Sequence, residues 1–197
     1  GRFHETGVPS YLRTHPLTFE RIADIQNRTR EMPYRQVPDS IDFLLIRAKL
    51  RALQGKSYDA VAQFKVRLEE KRYNNEAVER YGYIQALLRD KKAHQANAEL
   101  NRLYQLLHDD PSASVLRDHV LGKPIRIEYK QIIAGAMMET LSADVLLANG
   151  KTAEALKAYQ RGVKIYPQHR ALMHGYARAL IQDKQPQAAL DFINKQL

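Results

Sequence analysis

Two places in the chain carry nearly the same wording: Gly55-Lys56-Ser57 followed by Ala60 and Phe64, and Gly150-Lys151-Thr152 followed by Ala155 and Tyr159. In each, an alanine stands five residues after the glycine and an aromatic four residues after the alanine. Four residues is about one helical turn, so the small and the large side chain share one face of a helix that starts just past the glycine. A weaker form recurs as Ala96 with Leu100 and as Ala189 with Ile193, and Pro167 stands eight residues after Tyr159. A unit of this kind cannot cover its own apolar face. Its neighbour in the chain must do so, which predicts a stack of similar helical pairs.

Glycine-lysine-hydroxyl tripeptides also close phosphate-binding loops, but such a loop needs an earlier glycine five residues before the pair so that backbone N–H groups wrap the phosphates. Leu50 and Val145 stand at those positions, so neither site is read as a nucleotide loop. There is no cysteine, which excludes a disulfide framework, a thiolate metal site and a cysteine nucleophile together. The net charge of +9 raises the question of nucleic acid. The basic excess is spread along the chain, however, and its densest run, Arg89-Asp90-Lys91-Lys92, carries an acid inside it. It fits a solvated turn better than a phosphate-binding patch, so nucleic acid is not expected as a partner. No apolar run approaches the length of a membrane span.

Periodicity points to an all-α chain. Leu44, Leu45, Ala48, Ala52 and Leu53 form one stripe of a helix, and Leu141, Val145, Leu146 and Ala148 form another. Strand-like alternation is confined to a brief run over residues 125–129. The small-residue, large-residue, terminating-proline pattern resembles the tetratricopeptide repeat family, whose period is about 34 residues. Aligned on their alanines, the repeats start near Ile41, Ala77, Ala136 and Arg170, giving units near 41–76, 77–111, 136–169 and 170–197, with an irregular insert at 112–135 where Gly122 and Pro124 interrupt any helix. The expected architecture is a curved solenoid of helical hairpins preceded by a short helical segment.

By that resemblance the first helix of each pair lines a concave groove for a protein partner. The groove would contain Leu45, Lys49, Tyr81, Gln85, Arg89, Thr140, Asp144, His174 and Arg178, the residues at or near the fifth and ninth positions of the repeats. One subclass of the family grips a carboxyl-terminal tail with Lys and Asn at those two positions. Here they hold Leu45 and Lys49 in the first repeat and His174 and Arg178 in the last, so a chaperone tail is not expected.

Residues 1–40 fall outside the repeat. Thr18 is a good helix N-cap with Glu20 in the first turn, Leu17 and Ile22 occupy hydrophobic-staple positions, and a helix is expected from about Phe19 to Met32, before Pro33. Tyr11, Leu12, Thr14, His15, Pro16, Thr18, Arg21 and Ile22 make a run that resembles the end of the catalytic domain in zinc metallopeptidases of the HtpX and CAAX-prenyl-protease family. In secreted bacterial members that domain is followed directly by a tetratricopeptide array. These enzymes hold zinc with an HExxH helix. The chain has a single His-Glu pair, His4-Glu5, with Val8 where the second histidine belongs, and His169 and His174 are five apart rather than four.

No catalysis and no cofactor are therefore expected of this chain by itself, and zinc belongs to a parent enzyme by resemblance. Because Gly1 is an unlikely natural start, the chain is read as a piece of that parent. His15 has three readings: it shapes the turn before the helix, it stands at the rim of the parent's zinc cleft, where an imidazole suits the metal, or it is simply exposed to solvent. The resemblance implies a periplasmic setting. The partners it implies are unfolded or assembling envelope proteins, or the machinery that assembles them in the outer membrane. A free-standing repeat scaffold with no enzymatic parent is the alternative. The sequence does not fix the oligomeric state.

Overall fold

A computed structural model describes residues 18–30, 39–109 and 132–196. Two compact units divide the chain, residues 1–38 and 39–197. The first contributes helix α1 (Thr18–Arg30), which begins at the expected cap; the expected end at Met32, His15 and the Thr-His-Pro run lie outside the described residues. The second contains α2 (Ile41–Leu53), α3 (Ser57–Glu69), α4 (Glu76–Arg89), α5 (Ala93–Asp109), α6 (Ile132–Ala148), α7 (Thr152–Ile165), α8 (Arg170–Gln182) and α9 (Pro186–Gln196). Among the described residues there is no strand. Most of the irregular insert, including the run at 125–129, lies outside them; its last residues, 132–135, are the start of α6.

Local chemistry sets the helix ends. Ser40 and Asn75 accept a side-chain hydrogen bond from the N–H of Phe43 and Val78, satisfying donors that the first turn leaves unpaired. At the other ends Gly150, Lys71, Lys91 and Lys184 adopt left-handed backbone, and the N–H of Lys151, Arg72, Lys92 and Gln185 each reaches back five residues to a carbonyl of the last turn. These are Schellman ends, which glycine fills without steric cost and lysine fills at a cost of about 1 kcal/mol. Lys184→Gly is therefore expected to stabilise the chain by about 0.5–1 kcal/mol, read as a higher denaturant midpoint at unchanged slope.

The repeated alanines are all buried: Ala60, Ala96, Ala155 and Ala189. The aromatics beside two of them do more than fill space. The ring of Phe64 lies against Gly82 of the next pair, and the ring of Tyr159 lies against Gly175 of the next, so closely that a methyl group at either glycine would meet ring carbon at 2.4 Å. Ring into glycine notch is thus the joint between consecutive hairpins, made once in each half of the array.

Helix α6 departs from a simple stack. It is apolar nearly all round, as a helix enclosed by others must be. Met137, Met138, Leu141 and Val145 enter the cluster formed by α2 to α5, while Ala136, Ala143 and Leu147 enter the cluster formed with α7 and α8. It touches α2 and α4 as well as α5. The first and third pairs are consequently in direct contact.

Candidate functional site

The C-terminal halves of the four leading helices converge on one cavity of about 770 Å3. Leu53 comes from α2, Gln85, Leu88 and Arg89 from α4, Asp144, Leu147 and Ala148 from α6, and Arg178 and Gln182 from α8; Lys91 and Ala93 close the side between α4 and α5. Its wall is mixed, with leucines beside three cations and one carboxylate.

Two of the cations are built into the frame. Arg89 donates to the carbonyls of Ala52 at 3.1 Å, Gln54 at 3.1 Å and Gly55 at 2.6 Å, closing the C-terminus of α2 where the helix leaves acceptors unpaired and its dipole favours a cation. Arg178 donates to Asp144, and the same Asp144 oxygen accepts the Tyr159 hydroxyl at 2.6 Å. This chain joins α6, α7 and α8. Lys91 is exposed, and among the described residues it forms no ion pair.

Of the nine groove residues expected from the sequence, Gln85, Arg89, Asp144 and Arg178 line this cavity. Leu45, Tyr81 and Thr140 do not, and for them the expectation is corrected: they are 1%, 1% and 5% exposed. The register argument treated the leading helices as an open row, whereas α6 covers the fifth-position face of α2 and α4. Leu45 and Tyr81 share a cluster with Met138 and Leu141, and the Thr140 hydroxyl is spent on the Ala136 carbonyl. Lys49 is half-buried and His174 exposed, and neither lines the cavity. Seven lining residues were missed: Leu88 and Leu147 follow Gln85 and Asp144 by three positions, Lys91 and Ala93 lie just past α4, and the other three sit one full turn further on. Leu53, Ala148 and Gln182 follow Lys49, Asp144 and Arg178 by four positions, the helical step that already placed Arg89 after Gln85.

Burial pushes the Tyr81, Tyr159 and Tyr166 hydroxyls above the ordinary phenol range, Tyr166 to about 12, and the Asp144 carboxylate adds to the effect at Tyr159. In the unfolded chain these groups ionise near pH 10. Their contribution to stability is complete below about pH 10 and is lost as pH rises through the folded values, for Tyr166 between about 10 and about 12. The denaturant midpoint should therefore fall steeply above about pH 10. Tyr159→Phe should flatten that fall, while costing about 1 kcal/mol at neutral pH through the hydrogen bond lost to Asp144.

Among the described residues no three His, Asp or Glu side chains converge on a point. The Nδ1 of His169 is buried with no hydrogen-bond partner among the described residues, and burial followed by the charge of Lys49 lowers the affinity of that imidazole for a proton. No carboxylate or second imidazole joins it, so the described residues do not fit a zinc site. No helix among them is long and apolar enough to cross a membrane.

The tetratricopeptide repeat family profile matches residues 146–197. The chain is similar to the beta-barrel assembly-enhancing protease of Yersinia pestis, 23% identical over 188 residues, covering 95% of this chain and 34% of that protein. It thus spans about a third of the length of that relative. No solved structure matches. The described residues form an all-α array of helical hairpins, of which residues 146–197 match the tetratricopeptide profile, and repeat arrays of that kind offer their concave side to other proteins.

Proposed function

We propose that this chain is the protein-interaction part of a secreted zinc metalloendopeptidase, and that its cavity recruits substrates or docks the enzyme on a periplasmic complex for outer-membrane protein assembly and quality control. The observation that carries the interaction role is the cavity itself: one cleft, lined by the leading helix of all four hairpins, walled by leucines and polar groups and held in shape by Arg89 and by the Arg178–Asp144–Tyr159 chain. The peptidase parent rests on the likeness to the Yersinia pestis protease over nearly the whole chain and on the Thr14-His15-Pro16 run. Its zinc would supply the water-activating chemistry from residues outside the array, with His15 as a candidate neighbour of the metal.

Reading the coding sequence upstream of the Gly1 codon tests the parent. The proposal expects an HExxH helix and a later glutamate ligand in the same frame. An upstream domain without them removes the peptidase and leaves the free-standing scaffold.

A further inference from the structure

The cavity wall carries a charge imbalance that the frame does not use up. Asp144 is answered twice, by Arg178 and by the Tyr159 hydroxyl. Arg89 is answered by three carbonyls. Lys91 lines the same cavity and, among the described residues, pairs with no carboxylate, and the Arg178 side chain is 64% exposed although one of its nitrogens meets Asp144. Counting side chains in the wall, three cations face one acid, a net of two positive charges in a cleft whose remaining surface is largely Leu53, Leu88, Leu147, Ala93 and Ala148. Partially enclosed charge of one sign between apolar walls favours a ligand of the opposite sign with apolar groups on either side of it.

We propose that the cleft takes an extended peptide segment in which an internal acidic side chain lies between apolar ones, the carboxylate meeting Lys91 and the outer nitrogens of Arg178 and the apolar side chains resting on Leu53, Leu88 and Ala148. The proposal rests on the reading of the cavity as a protein-binding surface and deepens it to a class of sequence.

The test uses the whole 197-residue chain and three fluorescein-labelled peptides of identical valine, leucine and serine content, with two central residues that are glutamate, glutamine or lysine. Fluorescence anisotropy should show the glutamate peptide binding about tenfold more tightly than the glutamine peptide, with the lysine peptide weakest, and the preference should shrink as salt screens it. Lys91→Glu, at an exposed position with no ion pair among the described residues, should keep a single cooperative melting transition, lowered by the loss of a cation at the end of α4, and abolish the preference. Equal affinity for the glutamate and glutamine peptides, both displaced by Gln182→Trp, would overturn the acidic preference and leave the cavity as a binding surface. A glutamate preference that survives Lys91→Glu would overturn the assignment of the carboxylate. Peptide binding that ignores Gln182→Trp, or no binding of any peptide, would overturn both readings.

Discussion

Gly82→Ala should cost the array about 3 kcal/mol of unfolding free energy, one of the largest losses from the addition of a single methyl group anywhere in the chain. The new carbon would lie 2.4 Å and 2.5 Å from two ring atoms of Phe64 and 3.2 Å from the Ala48 methyl. The ring cannot bend away as a flexible chain end could. It is 1% exposed, and the Arg51 guanidinium lies 4.7 Å from its centre. Either the ring leaves its rotamer or α4 moves off α3, and overpacking of this kind costs 1–3 kcal/mol, occasionally more. If ring against glycine is the joint, a smaller partner should relieve the clash. Phe64→Leu combined with Gly82→Ala should be at least about 1 kcal/mol more stable than the sum of the single losses predicts, as measured by denaturant unfolding in a double-mutant cycle. Strict additivity would mean that the two residues do not meet.

The second large loss is expected at Glu79. This carboxylate is 6% exposed and ties three helices together: Oε1 accepts from Arg67 Nε of α3 at 2.6 Å and from Arg51 of α2 at 3.3 Å, and Oε2 accepts from a second Arg51 nitrogen at 3.3 Å. Removing one partner of a buried pair costs about 3–5 kcal/mol because the other charge stays behind. Here the arginines left behind are 32% and 40% exposed, so water takes back part of the penalty, and Glu79→Ala should cost about 2–3 kcal/mol. Two guanidiniums would then face each other without a counter-ion. Raising the salt concentration should therefore recover more stability in the variant than in the parent chain, and a salt-independent difference would point to lost packing instead.

These two sites show how far the sequence could be read. The alanine-x3-aromatic step was visible because it repeats, and it correctly placed Ala60, Phe64, Ala155 and Tyr159 on buried faces. The glycine that receives each ring was not read, although Gly82 and Gly175 both occupy the sixth position of their repeats. A glycine inside a helix registers only as poor propensity until the partner ring is known. Glu79 was invisible for a related reason. A glutamate on a helix is ordinarily solvated, and nothing in its own neighbourhood in sequence announces Arg51, which lies 28 residues away.

The cavity wall was partly legible. Gln85, Asp144 and Arg178 at the ninth positions, and Arg89 one turn after Gln85, line it because the repeat register puts them on matching faces of the leading helices. Leu45, Tyr81 and Thr140 were misplaced because α6 arrives after an insert and closes over α2 and α4. A register counted along the chain carries no information about that contact. The start of the first helix was legible from Thr18 and the capping logic alone.

In the proposed function this cavity, rather than another face of the array, meets the partners. Site-specific photo-crosslinking in cells tests it most directly, with the probe placed at Gln85 or Gln182 in the cavity wall and at Gln63 on an exposed face of α3 as the control. The account predicts adducts with envelope proteins from Gln85 and Gln182 and none from Gln63. Adducts from Gln63 equal to or exceeding those from the cavity positions would contradict it.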